Sequence, residues 1–165
     1  MPVQSASAST LGERVLGLIL DARSREDLAA DRLEARTGLP MEVAEPGRDY
    51  GSQGALAAGW DYALRSMPPQ PGAPVDRLLF QLQPSPAGTG PGEVDMTPVC
   101  IPFATWRDRL AGAGFAARRL RERHGMRDYW VFTRGDIGAT VYVGEARDGM
   151  QATPCVSMIV LQAYA

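Results

Sequence analysis

Cys100, Cys155 and His124 are the residues of this 165-residue chain whose types best suit covalent or metal chemistry. A nucleophilic thiolate needs a base beside it, so covalent catalysis would require Cys100 to pair with His124. The same two cysteines can instead bond to each other. Neither belongs to a Cys-x-x-Cys motif, and they stand at the start of an expected helix and of the last expected strand. A Cys100–Cys155 bridge would close a long loop, worth about 4 kcal/mol in the chain-entropy view. Two buried free thiols are the competing state. The even pair favours the disulfide, and with it an oxidising compartment, periplasmic or extracellular.

Other catalytic equipment is sparse. His124 lies in Arg-His-Gly, a turn in which an exposed structural histidine is the default. Gly51-Ser-Gln-Gly54 lacks the spacing of a nucleophile elbow. One histidine and two separated cysteines do not make a structural zinc site. Glu93-Val-Asp95 and Asp148-Gly149 fall short of a calcium loop's acidic density. Gly47, Gly51 and Gly54 have neither the preceding strand nor the following lysine of a phosphate loop. No catalytic residue, metal site or cofactor is assigned, and the expectation is a protein that is not an enzyme. Arg134-Gly-Asp136 spells an adhesion tripeptide, but glycine and aspartate belong in a hairpin turn for backbone reasons.

A cluster of arginines offers a different chemistry. Arg118, Arg119, Arg121, Arg123 and Arg127 crowd one short stretch. If 115–123 is a strand, Arg119, Arg121 and Arg123 project from one face at alternate positions. Such a row protects a sheet edge against aggregation, or binds carboxylates through the planar guanidinium fork. With Tyr129 and Tyr142 as aromatic anchors, these arginines form the candidate partner-binding surface. All 17 basic residues are arginine, which reads as GC bias in the genome, and the net charge of −2 argues against a general nucleic-acid binder. No apolar run reaches the roughly 18 residues of a membrane span.

The elements that position these residues follow from periodicity. Leu11, Val15, Leu18 and Ala22 recur at helical spacing behind a capping-box pattern, Thr10-Leu-Gly-Glu13. Ser24-Arg-Glu-Asp27 offers a second N-cap, Leu28 and Leu33 continue the stripe, and Gly38 stops it, so two short helices are expected. Between Pro40 and Gly59 the signals weaken. Trp60, Tyr62 and Leu64 alternate as one strand, and 75–83 returns as another after a Pro-rich turn. A helix is expected at 102–113. Four strands then follow, at 115–123, 128–134, 137–143 and 155–161, with Gly135-Asp136 closing a two-residue hairpin loop.

Phase sorts the last strands into a core set and a second apolar set. Trp130, Phe132, Ile137, Ala139, Val141, Val143, Ile159 and Leu161 are core positions; Tyr129, Val131, Tyr142, Val156, Met158 and Val160 face the other way. A solvated face should carry polar residues there. Coverage by the first half of the chain is the favoured explanation, and coverage by a partner the other.

The fold expected is α+β, an antiparallel sheet meander packed with helices. Residues 1–9 are small and polar, a disordered tail resembling the start of a mature exported protein. Residues 10–165 form one domain, whose halves 10–83 and 98–163 flank a Pro/Gly-rich connector at 84–97. The halves share a loose α-β-β pattern: helices ending at Gly38-Leu39 and Gly114-Phe115, then an aromatic strand and a partner strand. Duplication and chance both account for it. The function expected is binding of a protein partner, as a periplasmic immunity protein or inhibitor that occludes a toxin enzyme, with an envelope ligand-binding or scaffolding module as the alternative.

Overall fold

The computed structural model describes residues 7–45, 49–70, 72–84, 95–121 and 129–164. Most of the tail, residues 85–94 of the connector, and Arg123, His124 and Arg127 lie outside the described residues.

Helix α1, Ala8–Asp21, begins earlier than Thr10. Ser7 is its N-cap and accepts a hydrogen bond from the Thr10 amide at 3.1 Å. Ser7 to Ser9 therefore belong to the helix start and its cap, not to a disordered tail. Leu11, Val15, Leu18 and Ala22 are buried, as their spacing predicts. At Ser24 the chain makes a short 3-10 turn, Arg25–Leu28, where the Asp27 carboxylate accepts from the amides of Arg23 and Ser24. Helix α2, Ala30–Thr37, ends at Gly38, whose φ of +72° is the left-handed cap that favours glycine.

Four strands follow: β1 (Glu42–Glu45), β2 (Asp49–Ala55), β3 (Trp60–Met67) and β4 (Arg77–Pro84). Then come helix α3 (Phe103–Gly112) and four more strands, β5 (Ala116–Leu120), β6 (Tyr129–Arg134), β7 (Ile137–Asp148) and β8 (Gln151–Ala163). All eight lie in one antiparallel sheet, in the order β1-β2-β3-β4-β8-β7-β6-β5. The protein is α+β, as its sequence implies. β1 and β2 are the strands sequence periodicity does not reveal. The glycines of β2 explain part of this: a Cβ on Gly54 would stand 2.9 Å from the Tyr62 ring, so glycine is what lets that ring lie across the strand.

The strand order gives the internal likeness a definite form. Each half has a helix leading into a four-stranded meander, α2 in the first (with α1 before it) and α3 in the second. The halves meet last strand to last strand, β4 against β8. Gly38 and Gly114 both take positive φ behind their helices, and Leu39 and Phe115 are both buried. The aromatic strands, however, are not counterparts. Trp60 and Tyr62 sit on the third strand of their half, Trp130 and Phe132 on the second of theirs.

Helices cover one face of the sheet. Leu64, Phe80, Ile159 and Val141 line up across the strands there, with Tyr62 and Leu82 paired in the next row, all buried. Phe103 of α3 stacks near Trp130 and Phe132, with ring centroids 5.3 and 6.3 Å apart. Ser66, a buried polar residue on this face, donates to the Leu28 carbonyl at 2.9 Å and so ties β3 to the 3-10 turn. Among the described residues the first half does not cover the other face, contrary to the favoured expectation. It extends the same sheet instead.

Candidate functional site

Residues opposite one another in an antiparallel ladder share a face. This sorts the predicted partner-binding set. Arg119 pairs with Trp130 and therefore lies on the helix side, whereas Leu120 pairs with Tyr129, and Tyr129 with Tyr142, on the open side. Arg121 follows the end of β5, and Arg123 lies outside the described residues. The predicted set is thus divided by the sheet. The arginine that shares the tyrosines' face is Arg118, opposite Val131.

On the open face, Leu120, Tyr129, Tyr142 and Met158 form one row across β5, β6, β7 and β8. Tyr129 and Tyr142 stack with ring centroids 5.4 Å apart. Each residue of the row is half-buried, as expected of side chains that shield one another on a face no described element covers. Val156 was expected in this apolar set, but it is buried. The register shifts between Tyr142, opposite Met158, and Val143, opposite Val156. Ser157 takes up the extra position and donates to the Tyr142 carbonyl at 3.0 Å, so phase counted straight through the strand fails there.

Across β1 to β4 the same face dips into a shallow trough of about 440 Å³. Gln53, Gln81 and Gln83 line it together with Leu79 and Ala63. Arg65 at its margin is held by Asp49 at 2.8 Å.

Cys100 and Cys155 are bonded, with Cα atoms 5.2 Å apart. A Cys100 thiolate paired with His124 is therefore ruled out in this state, since neither cysteine is free. The bond fastens a strap, residues 95–102, across the β7–β8 hairpin. At the β7 edge the Met96 amide donates to the Glu145 carbonyl at 2.9 Å. Asp95 accepts from the Arg147 amide at 2.9 Å and from Thr97. These hydrogen bonds, the Thr97 hydroxyl first among them, hold the exposed Asp95 carboxyl below its ordinary pKa. At the β8 edge the Val156 amide donates to the Ile101 carbonyl at 2.8 Å, and Pro102 bridges to Cys155. Met96, Val99 and Ile101, the strap's own apolar side chains, are buried. Residues 144–154 lie between the expected strands 137–143 and 155–161, so sequence reasoning missed the strap and the distal hairpin. The available signal was the Asp148-Gly149 turn dipeptide.

The Arg134-Gly-Asp136 turn is structural. Arg134 donates to the carbonyls of Leu20, Ala22 and Ala113, and its guanidinium lies 4.3 Å from the Phe115 ring centre. It caps the C-termini of α1 and α3 together, which leaves it unavailable as an adhesion ligand. Among the described residues, no cluster of three or more histidine, cysteine or acidic side chains could hold a metal ion, and no helix is long and apolar enough to cross a membrane. No protein-family model, curated protein or solved structure matches this chain.

Proposed function

We propose that this chain is an exported binding protein that neutralises an enzyme by occlusion: a periplasmic immunity protein or inhibitor directed at a toxin that attacks the cell envelope. The observation that carries this reading is the open sheet face, where stacked Tyr129 and Tyr142 continue into Leu120 and Met158 beside Arg118. Tyrosine and arginine around an apolar patch are the usual composition of an energetic hot spot. The disulfide supports export, because such bonds persist in oxidising compartments. Occlusion asks for a broad, well-supported surface, and the open face of the eight-stranded sheet is consistent with that.

The direct test is to titrate the purified protein against secreted hydrolases encoded beside its gene, following release of peptidoglycan or phospholipid fragments. Stoichiometric inhibition is expected, and Tyr142→Ala should weaken it by about tenfold or more. Activity undiminished at saturating protein would refute the reading. A second reading, an envelope ligand-binding module, is favoured by the glutamine-lined trough, whose size falls within the range of small-molecule sites. It calls for binding of a soluble envelope fragment with no enzyme inhibited.

A further inference from the structure

We infer that the distal end of the β7–β8 hairpin is the element that enters the partner's cleft, with Met150 as its apolar anchor; this rests on the binding reading above. The hairpin outgrows its sheet. Among the described residues, pairing with β6 ends at Tyr142 and with β4 at Met158, yet β7 and β8 stay paired to Asp148 and Gln151. What projects is therefore a two-stranded arm.

Both edges of the arm are blunted against strand addition. The strap occupies the β7 edge at Glu145 and Arg147, and the β8 edge at Cys155 and Val156. Pro154, next along β8, has no amide to donate. Among the described residues nothing covers the tip, and there Met150 is 104% exposed. Turn geometry does not ask for methionine. The Gly135-Asp136 turn uses the same form, glycine at positive φ (57° there, 63° at Gly149), and follows it with aspartate. The strap and the disulfide preorganise the backbone that carries this apolar side chain, so the ordering cost of binding falls on the methionine rotamers.

The partner chemistry follows from the anchor. An unbranched thioether fits a narrow apolar cleft and gains from aromatic groups at its floor. Exposed Arg147 and Glu145, 4.0 Å apart, flank the tip and suit a polar rim. A lipid surface is the poorer match, because one methionine between charged residues gives little apolar area to insert.

The test places p-benzoylphenylalanine at position 150, at 142 on the open face, and at 70 in the β3–β4 turn, in the producing bacterium, with adducts mapped by mass spectrometry. Crosslinks from 150, and none from 70, into the substrate cleft of an enzyme that the protein inhibits are expected. With that enzyme, Met150→Asp should weaken inhibition about thirtyfold and Met150→Leu restore it, with unchanged melting. Enzyme adducts from 142 but not 150 would overturn the arm and leave the binding reading standing. Adducts from 150 to lipid would also overturn it. Enzyme adducts from neither position would remove both.

Discussion

β3 and β4 are eight residues each and turn back through a Pro-rich loop, whereas their counterparts in the second half, β7 and β8, run to twelve and thirteen. The shared plan of helix and four-stranded meander makes the first half an internal control for the second. What the second half adds is the arm, and the strap and disulfide that hold it. The extra length has no place in the sheet, so something other than sheet pairing must keep it ordered. Asp95, Met96, Ile101 and Cys100 do that work from one short segment. The first half is joined to the second by β4 against β8 and by Arg134, which reaches from the β6–β7 turn to the end of α1.

The largest effect should come from removing the covalent tie. The bridged cysteines are 55 residues apart, and losing such a closure costs about 4 kcal/mol in the chain-entropy model. Denaturant unfolding of the Cys100→Ser, Cys155→Ser double variant should show a loss of that order. An unchanged midpoint would mean that strap and arm are held without the bond.

Arg134→Ala comes next and tests the joint between halves. It removes three charge-assisted hydrogen bonds to helix-end carbonyls and the contact with Phe115. A loss of about 2 kcal/mol is expected in thermal or denaturant melts. Arg23 also donates to the Leu20 and Ala22 carbonyls and should limit the damage to α1. A cost within experimental error would show that the cap is redundant.

A smaller effect, of opposite sign, sharpens the comparison between equivalent turns. The β2–β3 turn places Ala58 at φ 55°, in the left-handed region, where the second half uses Gly135 at φ 57°. Ala58→Gly should raise stability by about 0.5–1 kcal/mol, because relief of Cβ strain outweighs the added backbone freedom. A destabilised variant would show that this conformation is not maintained in solution.

How much of this was legible in sequence depends on how local the cause is. Gly135-Asp136 fixes its hairpin within two residues, and Leu11, Val15, Leu18 and Ala22 state their helix face by spacing alone. Gly38 marks its cap for the same reason. The pairing of Cys100 with Cys155 could be inferred because two cysteines allow only one partner. The division of the arginines from the tyrosines could not, since it depends on β5–β6 register, which places Arg119 opposite Trp130 and Leu120 opposite Tyr129. The bulge at Ser157 hid the burial of Val156 in the same way. The arm was hardest to see. Its residues, from Gly144 to Pro154, include few large apolar side chains and lack strand periodicity, and they are ordered by a segment some fifty positions earlier.

The smallest effect is one of pH. Asp95's folded-state pKa lies below its ordinary value, so its hydrogen bonds to Arg147 and Thr97 add stability above the ordinary carboxylate range. That contribution is lost as pH falls through the lowered pKa. Exchange of the Arg147 amide, measured against its intrinsic rate at each pH, should accordingly stay slow at mildly acidic pH and quicken only below the usual aspartate range. In Asp95→Asn it should be faster, without that acid step. Identical profiles for the two proteins would remove Asp95 from the clamp.

Hydrogen–deuterium exchange of the oxidised and reduced protein under native conditions compares the two central hairpins directly. Reduction is expected to release amides in the strap, 95–102, and in the arm, 143–156, while β3 and β4 keep their protection. Uniform loss of protection through both hairpins, or an arm that stays protected without the disulfide, would contradict an arm held by its strap.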